Sequence, residues 1–323
     1  MTNFEKSANV SLEEASFEVH GSEHNYYPPP RTRKSSRGRL LREIRLPRVK
    51  RRQRGNVIVI LSFGWLLLMV VIALIAQWLP IRSPNSIVGF PNLNPSWGRE
   101  FLGTDAIGRS MVSRLAYGTR VSLEVSCLVV LVALVVGGAV GLLSVYYRGS
   151  VTVVADWIAN TILSIPGLLL LLVLLVLFRP SLLVLVGCIS VIFFPGFMRI
   201  TRATGHSHMA SEFIMAARGF GASPFRIITR ELLPNTAVAL ITFCTLALPG
   251  AMLTEGALSY LGFGLPPPTP SWGQMIAQGQ QQLTAAPWQS ITPCILFVMT
   301  VFAFYTAGDW LRSRIDIHGL DQH

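Results

Sequence analysis

Six long apolar runs, at residues 56–79, 125–147, 157–178, 181–200, 237–262 and 291–311, decide what this chain can fold into. A helix rises about 1.5 Å per residue, so each run can cross roughly 30 Å of hydrocarbon. The sequence therefore predicts an all-α membrane protein with six transmembrane helices. Charged residues make up only 13% of the 323, about half the share expected of a soluble protein. The first run is too long for the apolar core of a signal peptide, and no cleavage site follows it. It is expected to remain as the first transmembrane helix, 56–80, with Trp78 at the interface. The third and fourth runs are split only by Arg179-Pro180, which suits a tight helical hairpin.

The formal charge of +11 is concentrated in residues 1–55. An acidic, polar start gives way there to Pro28-Pro29-Pro30 and then to a basic run over 31–54, with no apolar periodicity. That composition reads as a disordered tail drawn to anionic lipid headgroups rather than to nucleic acid. With the tail in the cytoplasm, the segments 148–156 and 201–236 and the C-terminal tail 313–323 are cytoplasmic too. Arg199, Arg202, Arg218, Arg226 and Arg230 then lie on that side, while 263–290 carries no charge. The outer loop 81–118 departs from the pattern with Arg82, Arg99, Arg109 and Arg114, and Arg120 follows, but the tail's excess is larger. Residues 106–123 alternate arginines with apolar residues, as in a helix lying at the interface. Cys127, Cys188, Cys244 and Cys294 are isolated in apolar runs, and His206 and His208 lack an acidic or thiol partner nearby. Neither a disulfide framework nor a metal site is expected.

One polar, basic interlude interrupts the apolar runs, at 211–235. Ser211 is placed to cap a helix, Glu212 complements the dipole, and Ala216, Ala217 and Arg218 favour helix. Gly219 and Gly221 allow the chain to stop and turn, and Ser223-Pro224 restarts it. In the second helix Phe225, Ile228 and Leu232 share one face, Arg226 and Arg230 another, and Pro234 is expected to end it. The plain reading is a cytoplasmic connector, basic as such loops are.

This stretch resembles the coupling loop of ABC-importer permeases, with the pattern Glu-Ala-Ala, three residues, Gly, nine residues, Ile, one residue, Leu-Pro. Ala216, Ala217, Gly221, Leu233 and Pro234 fall in register, whereas Met215 replaces the usual Glu and Glu231 the usual Ile. Leu102-Gly103-Thr104-Asp105, Gly108-Arg109, Ser113-Arg114, Gly118 and Arg120-Val121-Ser122-Leu123 resemble the C-type permease subunit of dipeptide, oligopeptide and nickel importers. So do Glu255, Leu258-Ser259-Tyr260-Leu261-Gly262-Phe263-Gly264 and Pro267-Pro268-Thr269-Pro270-Ser271-Trp272-Gly273. Asp156, Leu163-Ser164-Ile165-Pro166 and Gly308-Asp309 fit as well, so the likeness spans about 56–316.

The resemblance implies a type I importer fold with a permease domain over 119–312. It implies one half of the pathway of an ATP-driven importer of di- or oligopeptides in the bacterial inner membrane, with nickel or another small solute as the alternative cargo. The implied partners are a B-type permease in a heterodimer, two ABC ATPase subunits and an extracytoplasmic binding protein. ATP and magnesium would sit on the ATPases, with no cofactor on this chain. Met215, Ala216, Ala217, Arg218, Gly221, Arg226, Leu233 and Pro234 are the residues implied in ATPase coupling. Glu255, Pro268 and Trp272 are candidates for the pathway or an outer gate; their plain readings are a helix-to-helix hydrogen bond, a stiff proline run and an interface anchor.

The only lysines are Lys6, Lys34 and Lys50, and none follows a phosphate-cradling glycine run, so the chain is not expected to hydrolyse ATP. No nucleophile and base, or carboxylate pair, recur at one depth, so an enzyme is not expected. An ion-coupled secondary transporter or channel is the main competitor. It would call for a mid-membrane acidic relay or inverted repeats with broken helices, and neither stands out.

Overall fold

The computed structural model describes residues 54–78, 82–97 and 100–320, and side chains over 57–78, 82–97 and 100–314. The tail expected at 1–55 lies almost wholly outside the described residues. Within them the chain is helical, with two isolated bridges, Ile87 to Arg109 and Thr104 to Ser110, pinning the 82–110 loop. In order, α1 is Arg54–Ile75, α2 Met111–Tyr147, α3 Ser150–Ser164, α4 Gly167–Leu177 and α5 Leu182–Met209. Then α6 is Glu212–Gly219, α7 Pro224–Arg226, α8 Leu233–Tyr260, α9 Trp272–Gln280 and α10 Trp288–Leu320. A π-helical turn, Ile227–Leu232, joins α7 to α8 without a break.

Five helical spans, on α1, α2, α5, the α7–α8 unit and α10, are long and apolar enough to cross a membrane. The sixth expected span, 157–178, is not one helix. It is the pair α3 and α4, bent by 96°. Ile165 and Pro166 are extended at the break, as a proline imposes on the residue before it while withholding its own N–H.

The core forms where α2, α5 and α8 meet, around Val125, Val129, Ala133, Ile189, Phe197, Ala251 and Leu258. Gly137 and Gly141 let α2 approach α5 closely. A Cβ on Gly137 would stand 2.9 Å from the Phe194 carbonyl oxygen, and one on Gly141 2.8 Å from that of Met198. Small residues four apart serve this close approach where lipid offers no hydrophobic drive. The spans on α2 and α5 bury 50% of their apolar window inside the protein, that on α1 only 11%, so α1 is peripheral. It is held to α10 by Trp65 Nε1 donating to Thr300 Oγ1 at 3.0 Å and by Phe63 set edge-on to Trp310.

Two further differences from the sequence-based expectation set up the site. Residues 106–123 do not form a separate interfacial helix, because from Met111 onward they are the first turns of α2. Their polar side chains are covered: Arg114, Ser113, Thr119 and Ser122 are buried. The cover includes α9, a helix in the uncharged segment 263–290 that no apolar run announced. Ser271 caps it by accepting from the Gln274 N–H.

Candidate functional site

The residues singled out by sequence fall at opposite ends of α2. At its C-terminal end, α6 and α7 form an elbow on a small core of Leu142, Val145, Met209, Ile214, Ile227 and Leu232. α6 closes with paired hydrogen bonds, Gly221 N to Arg218 O at 2.9 Å and Ala222 N to Ala217 O at 3.0 Å. This closure needs a left-handed residue, and Gly221 supplies it at φ +78°. Ser223 caps α7 by accepting from the Arg226 N–H. Ser211 holds the N-cap position of α6, but its hydroxyl bonds back to the His208 carbonyl, so the capping expected of it is not made.

Pro234 does not end the second helix. It sits in the first turn of α8, and the chain runs helically from Pro224 to Tyr260. A proline inside a helix crowds the carbonyl four residues back, and the wider π-turn just before it relieves that crowding. The π-turn also shifts the face that points inward. Ile227 and Leu232 are fully buried, while Phe225, expected beside Leu232, is 76% exposed. Met215, Ala216, Arg218, Gly221, Arg226, Leu233 and Pro234 are all exposed, and Ala217 is half-buried. With them Phe220, 93% exposed, makes an apolar tip. Arg218 lies over the Tyr146 ring at 5.3 Å, tying the tip to the end of α2. Nearby in the chain, Arg202 pairs with Asp156 at 2.6 Å and Arg199 donates to Asn160 at 2.8 Å, which join α5 to α3.

At the N-terminal end of α2 the second group separates. Pro268 is exposed in the loop before α9, whereas Glu255 and Trp272 are sealed inside. Trp272 is therefore no interface anchor. Its indole N–H donates to the Leu115 carbonyl and its backbone N–H to Ser122 Oγ, both at 3.4 Å, and its ring meets Phe297 edge-on. Gly118 makes room, since a Cβ there would lie 3.2 Å from the indole. Glu255 accepts from Ser259 Oγ at 2.7 Å, and Ser122 and Ser271 face the same carboxylate. Among the described residues no three His, Cys, Asp or Glu side chains are grouped to hold a metal.

The family described as binding-protein-dependent transport system inner membrane component matches residues 130–317, more than half of the chain. The chain belongs to that family. This permease is 32% identical to the di/tripeptide transport system permease protein of Pseudomonas aeruginosa, over 78% of its own length and 85% of the relative's. It is 31% identical to the glutathione transport system permease protein of Pectobacterium atrosepticum, over 78% and 84%. With the dipeptide transport system permease protein of Haemophilus influenzae it shares 34%, over 69% and 75%. A solved structure titled as an inward-facing conformation of the MetNI methionine ABC transporter superposes with a TM-score of 0.50. That match, at 21% identity over 64% of this chain and 97% of the other, shows the fold. The permease is thus a multi-pass membrane subunit of the ABC importer class, a transport component rather than an enzyme. The secondary-transporter and channel readings are not favoured.

Proposed function

We propose that this permease moves di- or oligopeptides inward, paired with a B-type permease, and is driven through its 211–234 elbow by two separate ATPase subunits that hold ATP and magnesium. The names of the relatives, all peptide or glutathione permeases, support the cargo class. One observation carries the coupling reading: an exposed apolar tip, Phe220, Phe225 and Met215, stands on a base of fully buried Ile214, Ile227 and Leu232. An apolar tip on a fixed base suits insertion into a partner's groove, because the contact is gained without loosening its support. The elbow and both chain ends then face the cytoplasm, and an extracytoplasmic binding protein delivers cargo at the other end.

Gly221→Asp tests this. Aspartate enters the left-handed backbone at a strain of about 1–2 kcal/mol, and nothing lies within 4 Å of the new Cβ, so the change is local and a carboxylate appears on the tip. ATP-driven uptake of a labelled dipeptide should be lost, with the purified variant still helical and ATPases no longer co-purifying. Wild-type uptake by this variant would reject the elbow as the coupling surface.

A further inference from the structure

The first outer loop and α9 enclose a half-open cavity of about 230 Å³ at the N-terminal end of α2, opposite the elbow. Asp105, Arg109, Arg114, Gln278, Gln281 and Gln289 carry its polar lining, above the apolar Met111 and Met275. Nothing in the permease reading assigns this cavity a role.

Its charge does not balance. Asp105 is fully engaged: Oδ1 accepts from the Ile107 N–H at 3.0 Å and the Arg109 N–H at 2.8 Å, and Oδ2 faces both arginines. Arg109 Nε stands 2.6 Å from Oδ2 and Arg114 Nε 3.6 Å, so one carboxylate serves two guanidinium groups. Glu100 lies outside the cavity lining and pairs with neither arginine; its carboxylate accepts from Ser110 Oγ at 2.5 Å. Arg114 is 1% exposed; Nη2 donates to Gln278 Oε1 at 3.1 Å, and Nη1 has no partner among the described residues. A sealed guanidinium with an idle donor and half a counter-charge carries a desolvation cost that an anion would offset.

We propose that this cavity is a binding site for the carboxylate of a small solute, held by Arg109 and by the charge of Arg114 behind it, and oriented by the glutamine amides. The excess of one positive charge matches a monoanion rather than a phosphate dianion. The planar guanidinium fork matches the two oxygens of a carboxylate. Gln278 presents its oxygen to Arg114, which leaves its Nε2 as a donor, and Gln281 is exposed at the rim. Gln289 is fixed by donating to Asn92 Oδ1 at 2.8 Å and Thr104 O at 2.9 Å, so the wall it belongs to is stiff. The inference rests on the proposed function only in naming a peptide's C-terminal carboxylate as the ligand delivered here.

The test is isothermal titration into the full-length permease with its co-purifying subunits in lipid nanodiscs, washed free of soluble binding protein. The probes are Ala-Ala, its C-terminal amide, acetate and inorganic phosphate. Saturable binding of Ala-Ala and acetate, with the amide and phosphate at least about tenfold weaker, is the expected result. Arg114→Gln should abolish that binding. Because that variant removes a buried ion-pair member, Gln281→Glu at the exposed rim is the second variant, and should weaken acetate, which carries no ammonium group, about tenfold by like-charge repulsion. Equal binding of peptide and amide, equal binding of phosphate, or no binding to the wild-type complex would each overturn the assignment. ATP-driven uptake that survives any of these outcomes would leave the importer reading intact.

Discussion

Gly273 and Ser259 show how little slack surrounds the buried Glu255 and Trp272. A Cβ on Gly273 would stand 2.3 Å from the Gly256 carbonyl oxygen and 2.9 Å from Ser259 Cβ. The first is backbone inside α8 and cannot swing away, so α9 would have to shift. Gly273→Ala should therefore cost about 1–3 kcal/mol, read as a lower Tm in detergent. An unchanged Tm would mean α9 floats on α8 rather than docking. Ser259→Ala takes the donor from a Glu255 carboxylate that is 1% exposed, at a cost of about 1–3 kcal/mol by the same measurement. Glu255→Gln keeps an acceptor for that hydroxyl and should cost less. If Glu255→Gln were the worse of the two, the charge itself would be what the site needs.

At the scale of elements, the bent pair and the elbow make opposite demands. Pro166 keeps α3 and α4 at 96°, so Pro166→Ala should let helix run through the break. Spin labels at the exposed Val153 and Val176 should then move apart, and an unchanged distance would assign the bend to packing instead. In the elbow, Phe220 and Phe225 bury almost nothing in this chain, being 93% and 76% exposed. The double alanine variant should keep stability, read from Tm, within about 0.5 kcal/mol of wild type while losing ATP-driven uptake. A large loss of Tm would make them structural. The spans were readable because a long apolar run admits few structures in lipid. The burial of 111–123 was not, because what covers Arg114 and Ser122 is Gln278 and Trp272, more than 140 positions later. Likewise α9 is short and rich in glutamine, so its helicity rests on docking Trp272 and Met275, which no periodicity records. Pro234 reads as a stop until the π-turn before it is seen, and that turn also moves Phe225 to the surface.

Across the whole molecule, α2 is the ruler. Its 37 residues give about 55 Å of helix, more than one bilayer core, so its two ends lie in different aqueous phases. One end carries the 82–110 loop, through Met111 N donating to Gly103 O at 3.1 Å; the other carries the elbow, through Leu142 and Val145. This yields a prediction independent of the arginine count, which the outer loop violates. In a chain freed of Cys127, Cys188, Cys244 and Cys294, Ile87→Cys and Phe220→Cys replace exposed side chains at the two ends. A membrane-impermeant maleimide should label the first in intact cells and the second only in inverted vesicles. Labelling of both from one side would break the fold, because α2 joins them and cannot cross and return. Reversed labelling would keep the fold and overturn the proposed orientation, with the elbow then facing away from any cytoplasmic ATPase.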